Sequence, residues 1–183
     1  YGNKKILKDK INKKKNLKNN CKIIDAEDII SDDESPLAGA KKSKETSMWK
    51  AINSLKEKET DVALSAGNTG ALLVISRLLL KTIDGISKPA LAGLWPNQNN
   101  MNVVLDLGAN IECNEKNLVD FACMGSAFYQ SIFKTDRPKI SLLNVGLEEY
   151  KGNDVLKKTF TILKENKMKN FNFTGYIEGN HIM

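Results

Sequence analysis

One histidine, His181, and three cysteines, Cys21, Cys113 and Cys123, are all that the sequence offers of the residue types that most often build metal sites and nucleophilic centres. A lone histidine cannot complete a Ser-His-Asp or Cys-His arrangement with any convincing partner. The cysteines are odd in number and lack Cys-x-x-Cys spacing, which argues against a disulfide framework and a zinc site and fits a reducing cytoplasm. Long hydrophobic runs are missing as well. The longest candidate, Ala71 to Leu80, contains Arg77 and falls short of the roughly 20 apolar residues a membrane span needs. There is no internal repeat and no Gly/Ser linker, so one partial α/β domain over residues 1–183 is expected, with a Lys-rich helical start over 1–21. The chain opens at Tyr1 without an initiator Met and stops in an uncapped apolar run at Met183. Both ends are expected to be truncations, and the chain alone to be catalytically incomplete.

Positive charge is present, but in one place. The formal charge is +6, yet the first 22 residues hold nine lysines against Asp9 alone, a net of +8 that leaves −2 for the remainder. Such a run reads either as a solvated helix face or as a landing site for an acidic protein or anionic membrane. Nucleic acid is the weakest of the landing-site readings and is not expected as a partner, because no aromatic residue except Tyr1 interleaves with the lysines and no reading motif is present.

Strand-like runs at 22–25, 61–65, 90–94, 103–107, 140–145 and 171–177 alternate with helical periodicity. Met48, Ile52 and Leu55 share one face of a helix over about 42–58; Leu72, Ile75, Leu79 and Ile83 mark another. A third carries Leu118, Phe121, Ala122 and Phe128, and a last one Val155, Leu156, Phe160 and Leu163 before Lys164-Glu165-Asn166-Lys167 breaks the pattern. Alternation of this kind predicts a doubly wound, largely parallel sheet covered on both faces, with ligands at the carboxyl ends of the strands.

Three of those ends carry turn residues suited to chemistry. In Ser65-Ala66-Gly67-Asn68-Thr69-Gly70 the glycines let backbone N–H groups approach a ligand, and the following helix N-terminus adds positive potential, so a small anion fits. Ser65, Asn68 and Thr69 can add donors. The turn has neither a Walker A lysine nor the third glycine of a dinucleotide loop, and a plain strand-to-helix turn explains it equally. In Asp106-Leu107-Gly108-Ala109-Asn110, Asp106 is a general base, a metal ligand or a turn residue that satisfies backbone donors, and Asn110 can donate to phosphate or a carbonyl. The carboxylates are scattered and no metal or cofactor is implied. In the third end, Glu148-Glu149-Tyr150-Lys151-Gly152-Asn153, Lys151 either neutralises an anion or forms a surface ion pair. Cys123, beside Phe121 and Met124, reads as core.

Taken together, the stretches at 65–72, 105–110 and 142–153 resemble, in order and spacing, signature segments of the PlsX family of phosphate acyltransferases. Supporting likeness lies at Lys41-Lys42 with Ser47-Met48, at 88–92, at 121–125 and at 173–179, so the resemblance runs from about Lys22 to the end. Asn180-His181 departs from the family, which commonly has a basic residue followed by Asp there. The resemblance implies an isocitrate/isopropylmalate dehydrogenase-like fold and transfer of a fatty acyl group from acyl-acyl carrier protein to inorganic phosphate. It also implies a cytoplasmic homodimer that associates peripherally with the inner face of the plasma membrane. Carried onto this sequence, Lys151 and Asn68 would be catalytic, and Ser65, Gly67, Thr69, Gly70, Asp106, Gly108, Asn110 and Asn153 would bind phosphate or substrate. Phosphate is itself a nucleophile, so such an enzyme needs no covalent intermediate, only positioning and charge stabilisation. The alternatives are a phosphate acetyltransferase-like enzyme using coenzyme A thioesters, and a non-catalytic scaffold recruited to membranes through its lysines. A decarboxylating dehydrogenase is disfavoured for want of clustered metal-binding Asp residues.

Overall fold

The computed structural model describes residues 1–42, 44–98, 100–165 and 169–182. The chain divides into two compact units, residues 1–83 and 84–183.

The first unit is helical. It contains α1 (Lys4–Asn12), α2 (Lys15–Lys18), α3 (Pro36–Lys41), α4 (Ser47–Lys56) and α5 (Thr69–Leu80). Polar caps set the starts. Ser35 and Thr46 accept from the backbone three residues on, and Pro36 occupies the first turn of α3, where no N–H is needed. The helical period then places Met48 and Ile52 of α4 and Ala71 and Ile75 of α5 in one core with Ile30 and Ala40. Gly70 belongs to this packing. A Cβ there would strike the Pro36 ring, so its hydrogen lets α3 and α5 approach. Two isolated parallel bridges, Gly2 to Asp25 and Asp28 to Thr46, tie the irregular segments together.

The second unit is mixed. The hairpin β1 (Gly93–Pro96) and β2 (Met101–Val104) is antiparallel, while β3 (Lys139–Leu143) and β4 (Asn172–Ile177) are parallel neighbours joined by α7 (Asp154–Glu165). The long α6 (Glu115–Phe133) begins at a reciprocal cap between Asn114 and Asn117. Its Ala122 packs with Leu142, Phe160, Leu163, Phe171 and Tyr176 to form the core between helices and parallel pair. The register of that pair breaks between Ile140 and Leu142, opposite Gly175 at φ +95°, a conformation that favours glycine.

A mixed helix and strand composition with a small parallel sheet is compatible with the α/β expectation. The strands are fewer than the alternation suggests, and β1–β2 runs antiparallel. Residues 61–65 form no strand: Val62 and Leu64 are 71% and 92% exposed, and no neighbouring ladder among the described residues takes up their backbone. Alternation signals a surface that fits a sheet, and without a paired edge it forms none. Residues 22–25 contribute only the bridge at Asp25. The expected helix over 42–58 starts later, at the Thr46 cap, and Ile83 lies beyond the end of α5. Asn166 and Lys167, expected to break the last helix, lie outside the described residues.

Candidate functional site

In the first unit, the expected anion turn is held by Asn68. Its Oδ1 caps α5 by accepting from the Ala71 N–H at 2.9 Å, and its Nδ2 donates to the Glu34 carbonyl at 2.9 Å, with longer contacts to the carbonyls of Ser31 and Asp32. One side chain thus fixes both the helix start and a segment more than thirty residues away. Ser65 Oγ accepts from the Gly67 N–H at 3.3 Å, closing the turn. The N–H groups of Thr69 and Gly70, in the first turn of α5, have no acceptor among the described residues. Together with the helix dipole they leave positive potential at the mouth of the turn. Neither Gly67 nor Gly70 has positive φ. Gly67 instead lies against the Met48 methyl, and Gly70 against Pro36.

In the second unit, the Asp106 carboxylate organises its own loop. Oδ1 accepts from the Leu91 N–H at 2.8 Å, and Oδ2 accepts from both the backbone N–H and the side-chain amide of Asn110, at 2.7 and 2.9 Å. Of its three readings, the turn residue that satisfies backbone donors is the one this geometry displays. Asn110 also donates to the Pro89 carbonyl at 2.8 Å, so both its amide hydrogens are engaged. Gly108 stands at φ +80°, the left-handed conformation its position in the loop requires.

The third turn is built around a residue the sequence reading passed over. Asn144 is 6% exposed, donates Nδ2 to the Lys151 carbonyl at 3.2 Å, and leaves Oδ1 without a partner. Gly152, at φ +91°, sits so close that a Cβ would lie 2.6 Å from that oxygen. The only signal in the sequence was an asparagine between a strand and a glycine turn, a placement that usually means nothing more than turn chemistry. Lys151 itself is half-exposed and pairs with Glu148 Oε2 at 2.9 Å, above Gly146. This is the surface ion pair that was one of its two readings. The ammonium holds the Glu148 carboxyl below the usual carboxylate range. Asn153 accepts from the Leu156 N–H at 2.9 Å and so caps α7.

Two of these turns meet. Asn110 and Asn153 line one cavity together with Leu118 and Leu156. A second, of about 360 Å³, shares Asn110 and runs from Asp106 and Gly108 between α6 and β3. Cys113 borders both, its thiol pKa pushed up by burial, and Cys123 packs against the core, its thiol raised for the same reason. Among the described residues no group of three or more His, Cys, Asp or Glu side chains is placed to hold a metal ion.

A family profile described as fatty acid synthesis protein matches residues 1–183. The chain is 52% identical over its whole length to the phosphate acyltransferase of Pelagibacter ubique (strain HTCC1062), of which it covers 54%. It is 42% identical over 99% of its length to that of Thermoanaerobacter pseudethanolicus (strain ATCC 33223 / 39E), covering 52% of it. With the phosphate acyltransferase of Clostridium novyi (strain NT) the identity is 38% over 97% of the chain and 52% of the relative. The chain therefore spans about half the length of the curated relatives it matches.

Proposed function

Because the chain belongs to the fatty acid synthesis protein family, as the PlsX resemblance of its sequence implies, we propose that the protein transfers a fatty acyl group from acyl-acyl carrier protein to inorganic phosphate. The acyl phosphate made this way feeds phospholipid synthesis. The observation that carries the reading is identity of 52% along the whole chain to a protein named phosphate acyltransferase. The first turn of α5 adds physical support, since its unclaimed N–H groups suit a small anion.

In the reaction a phosphate oxygen attacks the thioester carbonyl, a C–O bond forms, the C–S bond breaks, and the carrier leaves as thiolate. Phosphate is already ionised near neutral pH and thiolate is a good leaving group, so neither a nucleophilic side chain nor a strong acid is needed. Positioning and charge stabilisation remain. We assign Ser65, Gly67, Thr69 and Gly70 to anion binding through the α5 turn, with Asn68 as the residue that holds it. Asp106, Gly108, Asn110 and Asn153 shape the polar rim of the cavities in the second unit. Lys151, exchanging Glu148 for an anionic group of substrate, offsets the charge of that group.

The β3–α7–β4 unit supports extension to the doubly wound, isocitrate/isopropylmalate dehydrogenase-like sheet. A homodimer in the cytoplasm, peripheral to the inner face of the plasma membrane, is part of the same proposal. No helix among the described residues is long and apolar enough to cross a membrane.

The test is product analysis with the full-length enzyme, acyl phosphate being trapped with hydroxylamine. Phosphate-dependent hydroxamate from acyl-acyl carrier protein is expected. Product from coenzyme A thioesters alone would move the protein to the phosphate acetyltransferase class, and no product from either donor would defeat the proposal.

A further inference from the structure

The lysines of the first 22 residues play no part in the chemistry above, and the fold gives them no intramolecular role. All nine are exposed, and none pairs with an acidic side chain among the described residues. Their arrangement works against the helix that bears them. Lys4 and Lys5 stand in the first turn of α1, where the Asp25 carboxylate accepts from the Lys4 N–H at 2.9 Å but takes no lysine ammonium among the described residues, and Lys4 faces Lys8 one turn on. An acidic surface laid against them relieves that repulsion between lysines.

Part of the apolar side of α1 is turned to its own body. Leu7 and Ile11 are half-buried, Leu7 over Gly2, while Ile6 of α1 and Leu17 of α2 are exposed one to a helix, so the pair presents charge without the broad apolar face that inserts into lipid. Gly2, just before the helix, is bridged to the segment that leads on to the carbonyls gripped by Asn68. The bridges Gly2–Asp25 and Asp28–Thr46 are both parallel, so residues 1–2, 25–28 and 46 run in one direction. Accordingly α1, the 29–34 segment and α4 start from the same edge. That edge carries the carbonyls gripped by Asn68 and the Met48 methyl against Gly67.

We propose that the lysine surface of α1 and α2 is the docking site for an acidic protein, the carrier that delivers the acyl thioester. The inference rests on the carrier-protein donor of the proposed function. Opposite charges steer such an encounter and raise its rate without adding to the chemistry.

The test uses full-length enzyme carrying Lys5→Gln, Lys8→Gln, Lys14→Gln and Lys15→Gln, with purified acyl-acyl carrier protein. The KM for the carrier should rise about tenfold at low ionic strength. The difference should vanish at high salt, where the Debye length falls to about 3 Å near 1 M. kcat, the KM for phosphate and the melting temperature should stay put. An unchanged carrier KM with normal turnover overturns the inference and leaves the proposed function standing. So does an unchanged KM combined with lost sedimentation on vesicles of mixed phosphatidylcholine and phosphatidylglycerol, which makes lipid the occupant. If the unmodified enzyme makes no acyl phosphate from the carrier donor, the functional reading fails and this inference falls with it.

Discussion

The Asp106 carboxylate takes both the backbone N–H and the side-chain amide of Asn110, at 2.7 and 2.9 Å, and so closes the 106–110 loop on itself. Its other oxygen holds the Leu91 N–H. Replacing it by Asn keeps the shape but removes the charge from three hydrogen bonds and turns one acceptor into a donor. Asp106→Asn should cost about 1–3 kcal/mol, the range for a lost charged acceptor, read from denaturant midpoints. Hydrogen exchange at the Leu91 and Asn110 amides should speed up with it. Full stability with unaltered exchange would mean that the loop does not depend on Asp106.

Asn68 allows a sharper comparison, because it acts through both ends of its amide. Asn68→Ala loses the cap and the bridge to the Glu34 carbonyl, for a loss of roughly 2 kcal/mol, a cap alone being worth about 1. Asn68→Asp keeps a good cap and aims a carboxylate at the carbonyls of Ser31, Asp32 and Glu34. The Asp variant should therefore be no more stable than the Ala variant. If Asp behaves like the native Asn, the cap is the whole of its role.

How far the sequence disclosed this arrangement depended on the range of the interaction. Periodic helices were legible, since Met48 and Ile52, or Phe160 and Leu163, repeat at spacings that fix a face regardless of partners. Strands were less so: Val62 and Leu64 alternate correctly and still find no ladder. The cap that Asn153 makes on α7 spans only three residues, yet Asn153 was read as a substrate contact, and the grip of Asn68 on a segment 34 residues earlier has no local signature. The glycines of its turn were read as openings for an anion, whereas Gly70 is required at least as much by the Pro36 ring. Asn144 escaped notice because a buried asparagine looks, in sequence, like any other turn residue.

Gly108 and Gly152 both have positive φ, but only Gly152 has a neighbour in the way. Gly108→Ala should cost about 1 kcal/mol of backbone strain. Gly152→Ala should cost more, since its methyl meets Asn144 Oδ1 as well. In combination with Asn144→Ala the excess should shrink, a non-additivity that a double-mutant cycle measures. Strict additivity would show that the Asn144 contact carries no energy.

The pair between Lys151 and Glu148 makes a prediction about pH. With its carboxyl held below the ordinary range by the ammonium, Glu148 contributes stability that is present above its unfolded value of about 4.3 and is lost as pH falls through the lower folded value. Lys151→Met should move the Glu148 carboxyl titration upward, as followed by NMR. A titration that does not move would show the two side chains to be independent in solution.

For catalysis, Lys151→Ala in the full-length enzyme should lower turnover by roughly 100-fold, the scale of one preorganised electrostatic donor, with the fold retained. Lys151→Arg should recover part of it, a guanidinium being larger and differently directed. Near-normal turnover of the Ala variant at saturating phosphate would reduce Lys151 to its ion pair with Glu148.

The central claim is that phosphate itself attacks the thioester, and release of the carrier thiol tests it most directly. Full-length enzyme mixed with acyl-acyl carrier protein in phosphate-free buffer should release no thiol. Adding phosphate should then liberate thiol in step with acyl phosphate. A burst of one thiol per enzyme before phosphate is added would reveal a covalent acyl-enzyme and contradict the account.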